Sequence, residues 1–131
     1  MAGLENIHQL LSEMAPVMGP QEYIFATFPG ANYADLASLS PVASFLEDEG
    51  LSLVIERSVA ENAQIPFNSV FKKISLQVHS SLDAVGLTAA ISSVLAKQGI
   101  SANIIAAFYH DHVFVPSARA QEALDILKGL S

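Results

Sequence analysis

Apolar residues recur along this chain with two periods, and the switches between them mark its elements. Leu4, Ile7, Leu11 and Met14 stand at i, i+3, i+7 and i+10, which predicts an amphipathic helix over residues 4–15, ended by Pro16. Residues 22–28, rich in Tyr, Phe, Ile and Thr, predict a strand closed by a turn at Pro29-Gly30, and loop is expected from there to Leu39. Ser40-Pro41 reads as an N-cap with proline in the first helical position and Gly50 as a left-handed cap, so a short helix is expected over 41–49. A strand over 51–57 follows. Residues 60–67, with Asn62, Gln64 and Pro66, read as a linker.

The second half is more regular. Residues 71–79 alternate Ile74, Leu76 and Val78 with Ser75, Gln77 and His79, the pattern of a strand with one buried face. Ser80-Ser81-Leu82-Asp83 breaks it and offers N-caps, after which Leu87, Ile91, Val94 and Leu95 form the core stripe of a helix that Gly99 ends. The apolar run 103–109 predicts a central strand, covered on both faces or on one face and an interface. His110-Asp111 reads as a tight turn and 112–115 as a short strand. Pro116 stops that strand, and Ser117 caps a last helix with Ala120, Leu124, Leu127 and Leu130 inside. The order of this half is βαββα.

A spacing of 49 residues relates the halves: Leu46-Glu47-Asp48-Glu49-Gly50-Leu51-Ser52 aligns with Leu95-Ala96-Lys97-Gln98-Gly99-Ile100-Ser101, and 22–28 with 71–77. In that register both copies run strand, helix, glycine cap, strand. Two copies imply paired units rather than a solenoid, divided here as 1–66 and 67–131, and a seam between small units is a favoured place for a ligand.

Composition narrows the function classes. A chain of 131 residues with 51% hydrophobic content can bury a core and is not disordered. A net charge of -7 with six Lys and Arg excludes the basic stripe that nucleic acid requires. The absence of cysteine rules out a disulfide framework and a thiolate zinc site. The first residues lack the basic flank and apolar core of a signal peptide, and no apolar run reaches the length of about 18 residues that a membrane span needs. A cytoplasmic protein with no membrane partner is expected.

The run from Ile74 to Leu130, with Leu82-Asp83-Ala84-Val85-Gly86-Leu87 opening a helix, Gly99-Ile100-Ser101 leading into a strand and His112-Val113-Phe114-Val115-Pro116 before the last helix, resembles the ACT domain. The whole chain resembles small bacterial tandem-ACT proteins of unknown function, similar in their second domain to the ACT domains of aspartate kinases and cytosolic arginine sensors. The resemblance implies an α+β, ferredoxin-like (βαββαβ) fold in two tandem units, with antiparallel sheets and helices on one face. It implies an amino-acid-sensing regulatory role and a homodimer formed through the ACT sheets. The chain departs from the simplest pattern in its 80–86 loop, where many members carry an acidic residue, a proline and then glycine, and it lacks an evident sixth strand in the second copy.

The loop from Ser80 to Gly86 leads into a helix N-terminus, whose unpaired N–H groups and dipole attract a carboxylate. Asp83 suits an α-ammonium group, the Ser80 and Ser81 hydroxyls could orient the guest, and Gly86 admits it close to the backbone. By resemblance, the ligand set is Ser80, Ser81, Asp83, Val85, Gly86 and Leu87 with Ser101, Asn103 and Ile104 of a neighbouring unit. The competing reading has Ser81 and Asp83 merely capping the helix.

His110-Asp111-His112 carries the donors of a metal site, but adjacent strand residues point to opposite faces, and a turn with interface histidines is the simpler reading. His79, near the loop, reads as a hydrogen-bonded or solvated strand-end residue, and His8 carries no signal. Glu47-Asp48-Glu49 reads as a solvated helix face. No nucleophile elbow, His-Glu-x-x-His or phosphate loop occurs, so no catalytic residue and no cofactor is assigned. The preferred function is a non-enzymatic module that binds an amino acid between ACT units and signals to an unknown protein partner. The alternatives are a small metal-binding protein or metal-dependent enzyme built on His110, Asp111 and His112, and a ligand-free assembly module.

Overall fold

A computed structural model describes residues 7–77 and 85–130. The order is α1 (Ile7–Ser12), β1 (Pro16–Phe28), α2 (Tyr33–Leu36) with a 3-10 turn (Ala37–Leu39), β2 (Ala43–Glu47), β3 (Gly50–Glu56), α3 (Arg57–Asn62), β4 (Phe71–Leu76), α4 (Leu87–Lys97), β5 (Asn103–Ala106), β6 (Asp111–Pro116), and α5 (Ala120–Lys128) after a 3-10 turn (Ser117–Arg119). The chain divides into two compact units. One takes the described residues up to Pro20 and from Lys72 onward, and the other is Gln21–Phe71. The division at 66/67 follows the order of elements, whereas compactness groups α1 with the later strands.

In the Gln21–Phe71 unit, β3 pairs antiparallel with β1 from Tyr23↔Glu56 to Phe28↔Leu51, and with β2 from Ala43↔Val54 to Glu47↔Gly50. Strand alternation turns Leu51, Leu53 and Ile55 to one face, where they bury with Ile24 and with Ala60 of α3. The helix expected over 41–49 is therefore a hairpin. Asp48-Glu49 forms its turn, and the Val42 N–H donates to the Val54 carbonyl at 2.9 Å. Local helix signals at Ser40-Pro41 lose to backbone pairing with β3. Gly50 is no helix cap: at φ 153° a Cβ there would meet Pro29 Cα at 2.9 Å and the Phe28 carbonyl oxygen at 3.0 Å.

Two further expectations fail in this unit. The stretch read as loop contains α2, held by a capping box in which Asn32 Oδ1 accepts from the Asp35 N–H and Asp35 Oδ2 from the Asn32 N–H, both at 3.1 Å. The segment read as linker begins inside α3, because Ala60 is needed in the core.

In the other unit, strand neighbours run β1-β4-β6-β5, with β5 and β6 antiparallel from Asn103↔Phe114 to Ala106↔Asp111. Ile74 and Leu76 of β4, Val113 and Val115 of β6, and Leu10 and Met14 bury together with Leu87, Ile91 and Leu95 of α4 and Ala120, Ala123, Leu124 and Leu127 of α5. The α4 and α5 stripes match the sequence reading. The run 103–109 does not form a central strand. Only Asn103–Ala106 is strand, it lies at the end of the neighbour order, and the chain reverses at 107–110, where the Ala107 N–H donates to the His110 carbonyl at 3.1 Å. Phe108 and Tyr109 are exposed in that reversal, and Asp111 opens β6 instead of ending a turn. No Ser117 side-chain cap forms; its Oγ is buried without a hydrogen-bond partner.

Both units thus read β-α-β-β-α, but not in the 49-residue register, which would lay α4 over β2. Residues 51–60 and 111–120 share one sequence of buried, intermediate and exposed positions, so the correspondence there is 60 residues. It is nearer 50 at Ile24 and Ile74, because α4 is longer than α2.

Two substitutions test this packing. Gly50→Ala should lower stability by roughly 1–3 kcal/mol, since a Cβ would force both the backbone angle and the approach of Pro29. Urea unfolding should show it, with Gly30→Ala costing less because nothing lies within 4 Å of the added carbon.

Candidate functional site

α4 is fixed from below. Leu87, Ile91 and Leu95 anchor its inner face on the core. Gly86, at φ 105°, occupies the N-cap position without a side-chain hydrogen bond to the helix, and its carbonyl accepts the Ala90 N–H at 2.9 Å. The N-cap residue itself therefore offers no side chain to the first amides of the helix, while Val85 just before it is 84% exposed. A φ of this sign suits glycine, and a side chain there would be strained.

The expected ligand residues divide by position. Ser80, Ser81 and Asp83 lie outside the described residues, as does His79. Val85 and Gly86 stand at the start of α4, whereas Leu87 is 4% exposed and spends its side chain on the core. Ser101 and Asn103 are exposed, and Ile104 packs partly against the same core. Asn103 and Ile104 belong to β5, whose described partner is β6.

His110, Asp111 and His112 are not gathered as a ligand set; among the described residues no group of three His, Asp or Glu could hold a metal ion. Asp111 is buried, and desolvation raises its carboxyl above the usual range, partly offset by His110. His112 lies on the alternate face, its Nδ1 2.8 Å from Ser75 Oγ on β4. Burial, then Lys73, then His110 hold its imidazole below its ordinary value, so it is the neutral form that the fold favours. This cross-strand pair was missed in the sequence. Alternation placed Ser75 off the core face, but which residue of another strand would meet it is set by register. Glu47-Asp48-Glu49, read as a helix face, is the β2–β3 hairpin, with Glu47 accepting from the Ser52 hydroxyl.

ACT domain models match residues 2–72 and 68–129. No curated protein matches the sequence. Among solved structures, a Vibrio cholerae protein of unknown function, described as a possible transport protein, is 49% identical over 91% of each chain, with a TM-score of 0.83. The regulatory subunit of aspartate kinase from Thermus thermophilus shares 11% identity over 88% of this chain and 95% of its own, with a TM-score of 0.60. Aspartokinase III of E. coli in complex with aspartate and ADP shares 12%, over 88% of this chain and 33% of its own, at a TM-score of 0.61. At such identities the kinases speak for the fold.

The depressed His112 has a definite sign in pH dependence. The unfolded chain takes up a proton near its ordinary value of about 6.5 while the folded chain resists it, so stability falls as pH drops through that value. Urea midpoints measured from pH 7.5 to 5 should fall less in His112→Gln than in the parent. Equal slopes would assign the acid sensitivity elsewhere.

Proposed function

The chain belongs to the ACT domain family, in two tandem copies, and from that membership we propose that it is a non-enzymatic regulatory module that binds a free amino acid where ACT units meet. The observation that carries the proposal is the start of α4, where the N-cap is Gly86 at φ 105° beside exposed Val85. Its amides and the positive end of the helix dipole suit an α-carboxylate. Asp83 takes the ammonium group, and the Ser80 and Ser81 hydroxyls orient the guest. Val85 and Leu87 flank the corner, and Ser101, Asn103 and Ile104 of an adjoining ACT unit close it. Asn103 and Ser101 have the exposure this role needs.

Binding orders this corner and shifts the population of states that the protein shows to a partner, so the output is a change of surface rather than a reaction. The module works in the cytoplasm as a homodimer paired through its ACT sheets. Among the described residues no helix is long and apolar enough to cross a membrane.

Thermal melts in each of the twenty amino acids test the reading. A ligand at about 100 times its dissociation constant adds about 2.7 kcal/mol, a rise of several degrees for a chain of this size. Asp83→Ala should weaken that rise, and a bulky residue at Gly86 should abolish it. If no amino acid moves the melt, or if the rise survives both substitutions, the site is wrong and assembly without a ligand becomes the better account.

A further inference from the structure

β2 ends the strand order of its unit, with β3 as its one neighbour among the described strands. Every second residue of β2 therefore turns its backbone N–H and C=O away from β3, toward an edge that no described strand fills. The register sets Leu46 opposite Leu51, on the face where Leu51, Leu53 and Ile55 bury, and Phe45 opposite Ser52, on the other face. Phe45 is 72% exposed and Leu46 73%, and Val42, just before the strand, is 47% exposed. A strand that ends a sheet in solvent alternates apolar with polar residues, or carries Lys or Pro to discourage further pairing. Ala43–Glu47 holds neither Lys nor Pro, and its centre is apolar toward both faces. That is the pattern of a strand with neighbours on each side.

Charge decides what kind of neighbour fits. Residues 21–71 hold seven Asp and Glu against one Arg, a net charge of -6 out of the -7 of the whole chain. That cation, Arg57, is engaged by Glu22 and Glu61. Glu47, Asp48 and Glu49, at the tip where β2 ends, are exposed, and no ion pair among the described residues reaches them. A second copy pairing through this edge would bring two such acidic units together and supply a cation to neither tip. A segment that carries Lys or Arg beside its apolar residues matches both features of the edge.

We propose that the outer edge of β2 is the docking surface for a protein partner, which adds an extended segment there as a further strand. Apolar residues of that segment lie beside Phe45 and Leu46, and Lys or Arg at one end lies beside Glu47, Asp48 and Glu49. Main-chain hydrogen bonds to the edge hold the segment, its apolar side chains set the register, and the acidic tip attracts and orients it. The surface uses no residue of α4 or β5, so it stands or falls apart from the amino-acid reading.

The test selects a phage-displayed library of random decapeptides on the whole protein, and the most enriched peptide, made synthetically, is the probe. Enriched sequences should alternate apolar residues and carry Lys or Arg at one end. The bound peptide should shift the amide resonances of Ala43–Glu47 and slow their hydrogen exchange. Phe45→Thr and Leu46→Thr, with circular dichroism confirming the fold, should each weaken binding about tenfold. Glu47→Gln, Asp48→Asn and Glu49→Gln, made together, should weaken it and flatten its dependence on salt. The proposal fails if no sequence is enriched, if the enriched peptides lack Lys and Arg, or if the probe binds the Phe45→Thr and Leu46→Thr proteins as it binds the parent. It fails equally if sedimentation shows a dimer of the parent that Phe45→Thr dissociates, because a second copy then holds the edge.

Discussion

Each unit depends on one strand that runs straight into a helix and must bury both against the same core. β3 passes into α3 at Glu56-Arg57, and β6 passes into a helical turn at Pro116-Ser117, with no loop between. The two stretches match position by position in burial, and each closes on a buried alanine, Ala60 and Ala120. With no slack between strand and helix, the first helical turn lies close over the strand it has left, and a small side chain is what fits there. The remaining elements hang on this corner. The hairpin partners β2 and β5 pair with its strand, and in the larger unit α4 packs beside α5 on the face the strand supplies.

What could be read from sequence was decided by how much of the signal is local. The stripe of α4 was legible because Leu87, Ile91 and Leu95 all face one core, and the alternation of β4 because Ile74 and Leu76 do. Residues 41–49 were misread because their helix signals were sound in isolation, while the force that made them strand lies in Leu51–Glu56, the partner they pair with. The 49-residue repeat failed for the same reason. It matched Gly50 to Gly99 by residue type, although one opens a strand in a hairpin and the other follows a helix. The Asn32–Asp35 capping box could have been found by its spacing.

The site was legible to a different degree. A helix start at Gly86 could be anticipated from a glycine after a polar loop, and α4 begins there. That Leu87 would be consumed by the core follows from the same periodicity that predicts α4, so its part in any ligand site is to hold the corner steady. The Ser75–His112 pair was beyond reach, since cross-strand neighbours follow from register and not from either residue's surroundings in sequence.

Native mass spectrometry of the full chain, equilibrated with an equimolar mixture of the twenty amino acids, tests the central claim most directly. The account predicts a discrete adduct with the mass of one amino acid, retained at low collision energy and absent when Gly86 carries a bulky side chain. A spectrum of bare protein at every amino-acid concentration would contradict it.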